Sequence, residues 1–117
     1  MKIVINRSHG GFRLSSDAEK ILTMIFGEDE FYGLELHENR NNPIFVALVE
    51  KMGKGINGDS ANLKVVEIPD GLSYEINEYD GYESVNEYIS VTEEELRNGI
   101  SEEKLGLLKH TREIRVK

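Results

Sequence analysis

LKVVEIPDGLSYEINEYDGYESVNEYISV, residues 63–91, decides the fold. Three apolar runs are separated here by two turn signals, Pro69-Asp70-Gly71 and Asp80-Gly81, and turn residues between strand-like runs predict an antiparallel β-meander. Leu72, Tyr74 and Ile76 alternate with Ser73, Glu75 and Asn77, the pattern of a strand with one wet face. Val85, Ile89 and Val91 belong to the partner strand, with Glu87 interrupting the stripe. A sheet of this kind needs a cover, and the rest of the chain supplies two or three short amphipathic helices. The expected class is therefore α+β, a small antiparallel meander covered by those helices.

At 117 residues the chain is long enough for one core and short of the size at which cores divide, so residues 1–117 are expected to form a single domain. The absence of cysteine excludes a disulfide framework and any thiolate metal or redox site, in keeping with a cytoplasmic protein. MKIVIN is too short an apolar run for a signal peptide, and no stretch approaches the length of a bilayer span, so no membrane association is expected.

The net charge of −8 is unevenly spread. Between Glu67 and Glu103 stand 12 acidic residues against one basic residue, Arg97. The first 13 residues carry only the cations Lys2, Arg7 and Arg13, and the last nine carry Lys109, Arg112, Arg115 and Lys117 against Glu113. Such a chain repels a phosphate backbone, which argues against duplex nucleic acid as a partner. A basic protein, or a small anion bound at the amino-terminal end, remains compatible with it.

The amino-terminal run KIVIN, Lys2 to Asn6, is β-branched and of strand length. It leads into Arg7-Ser8-His9-Gly10-Gly11-Phe12-Arg13, whose paired glycines permit positive φ and close backbone approach. Ser16-x-x-Glu19 reads as a capping box for a helix carrying Ala18, Ile21, Leu22, Ile25 and Phe26, stopped by Gly27. A strand, a glycine turn and a helix start flanked by arginines suit an anion, although the spacing matches neither a P-loop nor a dinucleotide fingerprint. A plain structural turn is the competing reading. His9 has no second histidine at ligand spacing, and Ser8-His9 with Asp17 makes no triad, so no catalytic residue, metal site or cofactor is called for.

Phe31 to Leu36 reads as a short strand or a packed loop. Asn42 then caps a helix with Pro43 at its first position, and the body IFVALVEKM, apolar on nearly every side, should be the most buried helix and lie across the sheet until Gly53 ends it. Asn57-Gly58 lies in a loop. The strand carboxylates of the meander read as solubilising residues on a wet face. Thr92-x-x-Glu95 is a second capping box, with Val91 and Leu96 placed as a hydrophobic staple and Asn98-Gly99 as the stop. Ser101 to Lys109 adds a further helical turn or two, and Glu113 to Lys117 alternates like an edge strand, where Ile114 and Val116 could pair with another copy.

Three segments carry a resemblance: KIVIN-R-x-x-GGF-x-LS at the start, R-x-N-P-x-x-V-x-L-V-E from Arg40 to Glu50, and NG-x-x-A-x-LK-VVEIPD-x-x-x-YEI-x-EYDG-x-E-x-V-x-E from Asn57 to Glu87. Over residues 2–15 and 40–87 the chain resembles a family of small proteins met mainly in tailed bacteriophages, a family without an assigned activity. The family pattern has aspartate where this chain has Asn42, and a longer segment between the first helix and the R-x-D-P motif. The resemblance implies a phage accessory protein working inside the host bacterial cell.

Two binding functions follow. In the first, the protein antagonises a host defence or another host protein by docking onto it, with the acidic region, Glu93, Glu94 and Glu95 in particular, steering it to a basic surface. In the second, it sequesters a small phosphorylated signalling nucleotide held by Asn6, Arg7, Gly10, Gly11, Arg13 and Arg40. An enzyme acting on such a nucleotide would have to draw on His9, His37 and carboxylates without catalytic spacing.

Overall fold

KIVIN forms strand β1 (Lys2–Asn6), and its partner is β2 (Leu63–Glu67), antiparallel, with Lys2 opposite Glu67, Val4 opposite Val65 and Asn6 opposite Leu63. The computed structural model describes residues 1–117, which group into two compact units, Met1–Glu67 with Ile76–Ser84 and Ile68–Glu75 with Val85–Lys117. The fold is α+β, with a two-stranded sheet, a three-stranded sheet and five short helices.

Three of the helices lie between β1 and β2 in sequence: α1 (Ser16–Phe26), α2 (Glu28–Gly33) and α3 (Pro43–Met52). Helix α3 starts as its sequence predicts, with Asn42 Oδ1 accepting from the N–H groups of Ile44 and Phe45 at 3.0 and 3.2 Å. It packs on β1 and β2 and buries Phe45, Val46 and Val49. Each of these side chains contributes about 1.5–3 kcal/mol by leaving water. They join Val4, Ala18, Leu22, Leu34, Ile56 and Leu63 in one apolar cluster.

Two local expectations change. The cap of α1 is Ser15, whose Oγ accepts from Ala18 N–H at 3.2 Å, and Ser16 is already helical. Either serine could cap, but Ser15 is pinned by its own N–H to Ile56 O at 2.9 Å and by its hydroxyl to Gly55 O at 2.7 Å. Half of the Phe31 to Leu36 stretch is helical: Phe31 to Gly33 close α2, which opens on Glu28, Asp29 and Glu30, and Leu34 to Leu36 form the loop that follows. Carboxylates at a helix amino terminus oppose the helix dipole favourably. Gly27, at φ 81°, ends α1 and lets the next helix begin.

The meander divides at its first turn. Pro69-Asp70-Gly71 closes a turn with Leu72 N–H to Pro69 O at 3.2 Å, but β2 has gone to β1. The second turn joins β3 (Ser73–Tyr79) to β4 (Tyr82–Val91) as a hairpin. Asp80 and Gly81 have φ of 50° and 86°, the two positive values that a two-residue type I′ turn requires. The turn end of the hairpin, Ile76–Ser84, belongs to the first unit and its open end to the second.

In the second unit β5 (Ile114–Val116) runs parallel to the end of β4, with Ile89 opposite Ile114 and Val91 opposite Val116, and forms the sheet edge expected of it. Ile68, Leu72, Ile89 and Val91 are buried. Helix α4 (Glu93–Asn98) carries both arms of the Thr92–Glu95 capping box, and Gly99 stops it at φ 104°. Ser101 caps α5 (Glu102–Gly106). No helix is long and apolar enough to cross a membrane.

Candidate functional site

The nominated residues around the glycine turn fall into a buried set and an exposed set. Asn6, the last residue of β1, is fully buried and holds three segments together. Its N–H donates to Glu83 Oε1 at 2.7 Å, its Nδ2 donates to Ser8 O and Gly81 O at 2.8 and 2.9 Å, and its Oδ1 accepts from Asn62 N–H at 2.9 Å.

Arg40 is 1% exposed and meets Glu83, 4% exposed, in a bidentate pair at 2.6 and 2.8 Å. Its remaining bonds run to Val4 O at 3.1 Å and Glu35 O at 2.9 Å, and its guanidinium lies 4.2 Å from the centre of the Phe12 ring. The charge is thus paired, hydrogen-bonded and stacked inside the protein. The structure gives Asn6 and Arg40 a place beneath the loop, holding it to β4.

Arg7 and Arg13 are exposed on the same loop. The Arg7 guanidinium lies 4.6 Å from the centre of the Tyr82 ring and donates to Glu83 O at 3.2 Å. His9 stacks on Tyr82, with ring centres 5.2 Å apart, and meets Tyr79 edge-on at 6.4 Å. Tyr79 itself is 80% exposed. Arg7, His9, Tyr79 and Tyr82 therefore form one cationic and aromatic cluster.

Of the paired glycines, Gly11 supplies a positive φ of 91° with open space around it, and Gly10 serves close packing. A Cβ on Gly10 would stand 2.1 Å from Ser60 O, and one on Gly81 would stand 2.8 Å from both Gly11 N and His9 O. Gly10 N–H points inward to Ser8 Oγ at 3.1 Å, while the Ser8 hydroxyl donates to Ser60 O. The loop is then stitched along residues 56–62 by Gly58 N–H to Arg13 O and Arg7 N–H to Asn62 O, each 2.9 Å. These bonds fix the backbone that carries the exposed side chains.

Among the acidic candidates, Glu93 and Glu94 are exposed, and Glu95 is tied into the fold. Glu95 accepts from Thr92 N–H and from Lys104 Nζ at 2.7 Å, and Lys104 also donates to Ser90 O at 2.8 Å. The Lys104 ammonium holds the Glu95 carboxyl below the ordinary carboxylate range, with the Thr92 N–H adding to the effect. Arg115 does the same for Glu75, bonding it at 2.7 and 3.2 Å.

Sequence reasoning missed Glu83, treating the hairpin carboxylates as wet-face residues. The available clue was parity: Glu83 lies an even number of residues from Val85, Ile89 and Val91, on their face of the strand. A carboxylate on an apolar face needs a buried cation. Tyr79 and Tyr82, flanking the hairpin turn, carried no such clue, because only the fold brings that turn to His9. No group of three or more His, Cys, Asp or Glu side chains is placed to hold a metal ion. No family model, curated protein or solved structure matches this chain.

Proposed function

We propose that this protein acts by binding: it docks, as a phage accessory protein in the host cytoplasm, onto a basic surface of a host protein and blocks that protein's action in defence. The supporting observation is the presentation of carboxylates by α4 and α5. Glu93, Glu94, Glu102 and Glu103 are exposed at the first turns of two short helices. Those helices are fixed by the Thr92 capping box, the Ser101 cap and the Glu95–Lys104 ion pair. Pre-organised charge of one sign speeds encounter with an oppositely charged surface and selects against acidic partners. The phage setting rests on the motif resemblance of residues 2–15 and 40–87.

The test is capture of the host partner by tagged wild-type protein and by the Glu93→Lys/Glu94→Lys variant. Capture should fall at least about tenfold with the variant and should weaken with salt. Arg7→Ala/Arg13→Ala should capture as well as wild type. Equal capture by the Glu93/Glu94 variant would refute docking through this face.

The Arg7, His9, Tyr79 and Tyr82 cluster favours a second reading, capture of a small phosphorylated molecule with an aromatic base. The exposed tyrosine supplies a stacking face, and Arg7 and Arg13 supply charge for the phosphate. A nucleotide at one hundred times its dissociation constant would stabilise the fold by about 2.7 kcal/mol, visible as a melting shift. Arg7→Ala/Arg13→Ala would abolish that shift. A panel of cyclic and linear nucleotides that leaves the wild-type melt unmoved would exclude those compounds.

A further inference from the structure

The face between α1 and α2 carries a groove that the docking reading does not use. Tyr32 is 69% exposed and Met24 is 80% exposed. Phe31 and Tyr32 line two adjoining hollows, one of about 200 Å³ floored by Phe12, Leu14 and Leu34, the other of about 520 Å³ reaching Thr23 and Met24. The first hollow is walled mainly by apolar side chains, the second joins Met24, Phe31 and Tyr32 to the polar Ser16 and Thr23, and the charge at the rim is mostly of one sign. Glu19 borders both hollows, Glu35 borders the first and Glu28 the second, against the single cation Lys20.

Large apolar side chains held at the surface beside a concave wall mark interaction sites, because covering them removes hydration that folding left in place. Tertiary and local contacts hold this wall in place. Phe31 is anchored in the core cluster, Tyr32 leans on it with ring centres 5.4 Å apart, and Phe31 N–H bonds Gly27 O at 3.0 Å. A binding partner therefore meets a preformed surface.

We infer that this groove binds a short cationic amphipathic segment of a partner protein, one that places an aromatic or branched aliphatic side chain against Phe31 and Tyr32 and Lys or Arg residues against Glu19, Glu28 and Glu35. Charge complementarity selects this occupant: an acidic segment would set like charges together at the rim, and a purely polar one would leave the apolar wall wet. The assignment stands independently of Glu93 and Glu94.

The probe is a labelled peptide with leucines at helical spacing and lysines elsewhere, compared by fluorescence anisotropy with versions carrying Glu for Lys or Ala for Leu. The Leu/Lys peptide should bind, and each altered peptide should bind at least about tenfold more weakly. Amide resonances of Glu19, Phe31 and Tyr32 should shift on titration. Tyr32→Ala should weaken binding about tenfold without moving the melt, since its ring is exposed. Glu28→Lys, also at an exposed position, should weaken it as well and keeps the test independent of Tyr32. Binding of the Ala/Lys peptide as tight as that of the Leu/Lys peptide would overturn the inference. So would shifts confined to α4 and α5, or no binding by any of the three peptides.

Discussion

Glu83→Ala is the substitution on which the account of the loop depends. It removes the two bonds from Arg40 and the one from Asn6 N–H, at 2.6, 2.8 and 2.7 Å. It also leaves a guanidinium that is 1% exposed with no counter-charge at bonding distance. Removing one partner of a buried pair costs about 3–5 kcal/mol, against a total stability of about 5–15 kcal/mol for an ordinary domain. At about 3–6 °C per kcal/mol for a chain of this size, the melting temperature should drop by about 10–30 °C. Urea unfolding followed by circular dichroism gives the free energy directly, and an unchanged slope would show that the unfolded state is not the cause. The double variant Arg40→Met/Glu83→Leu removes both charges. It should be less destabilised than Glu83→Ala, though below wild type, because Asn6 N–H and the Val4 and Glu35 carbonyls still lose partners. Glu93→Ala, which touches an exposed pair with Arg97 at 3.7 Å, sets the scale for a surface bridge. A cost for Glu83→Ala below about 1 kcal/mol, within the range of such surface pairs, would refute the reasoning.

Gly10→Ala should lose about 1–3 kcal/mol, because its methyl would collide with the Ser60 carbonyl; faster amide exchange at Arg7 and Gly58 would place the damage at the loop. Gly106→Ala, in a helix with open space around it, should be neutral or stabilising by up to about 1 kcal/mol in the same unfolding assay. Thr92→Ala should cost about 1 kcal/mol through loss of the α4 cap, and Thr92→Ser should recover most of it. Glu95 is depressed below its ordinary value of 4.5 by Lys104, so its contribution is present above that value and is lost as pH falls through the lower folded value. Glu95→Gln should flatten the acid side of the melting-temperature profile, and a profile identical to wild type below about pH 4.5 would contradict the assignment.

The starts, stops and turns built within a few residues were legible. Asn42-Pro43, Thr92 with Glu95, Gly27, Gly53 and Asp80-Gly81 all do what their types predict, since a cap or a tight turn is settled by donors and acceptors within one turn of chain. The choice of Ser15 over Ser16 was not, because the tie was broken by the backbone at Gly55 and Ile56, some forty positions away. Of the binding candidates, Arg7 and Arg13 lie exposed on the loop and Arg40 is buried beneath it. The burial of Arg40 was hidden, because an isolated arginine carries no sign of whether a carboxylate waits for it inside.

From its sequence alone this protein was determined to be α+β, acidic, and made of short strands and short capped helices, because composition, turn chemistry and side-chain periodicity act locally. Tertiary structure decided which strands pair. β1 draws β2 out of the meander, since a strand buried along its length needs a hydrogen-bonding neighbour of similar length. Tertiary structure also turned Glu83 from a surface carboxylate into the counter-charge of Arg40, 43 residues away. It gathered Arg7, His9, Tyr79 and Tyr82 into one cluster as well. Each of these outcomes is a competition among distant segments for burial and partners, and no window of sequence contains its competitors.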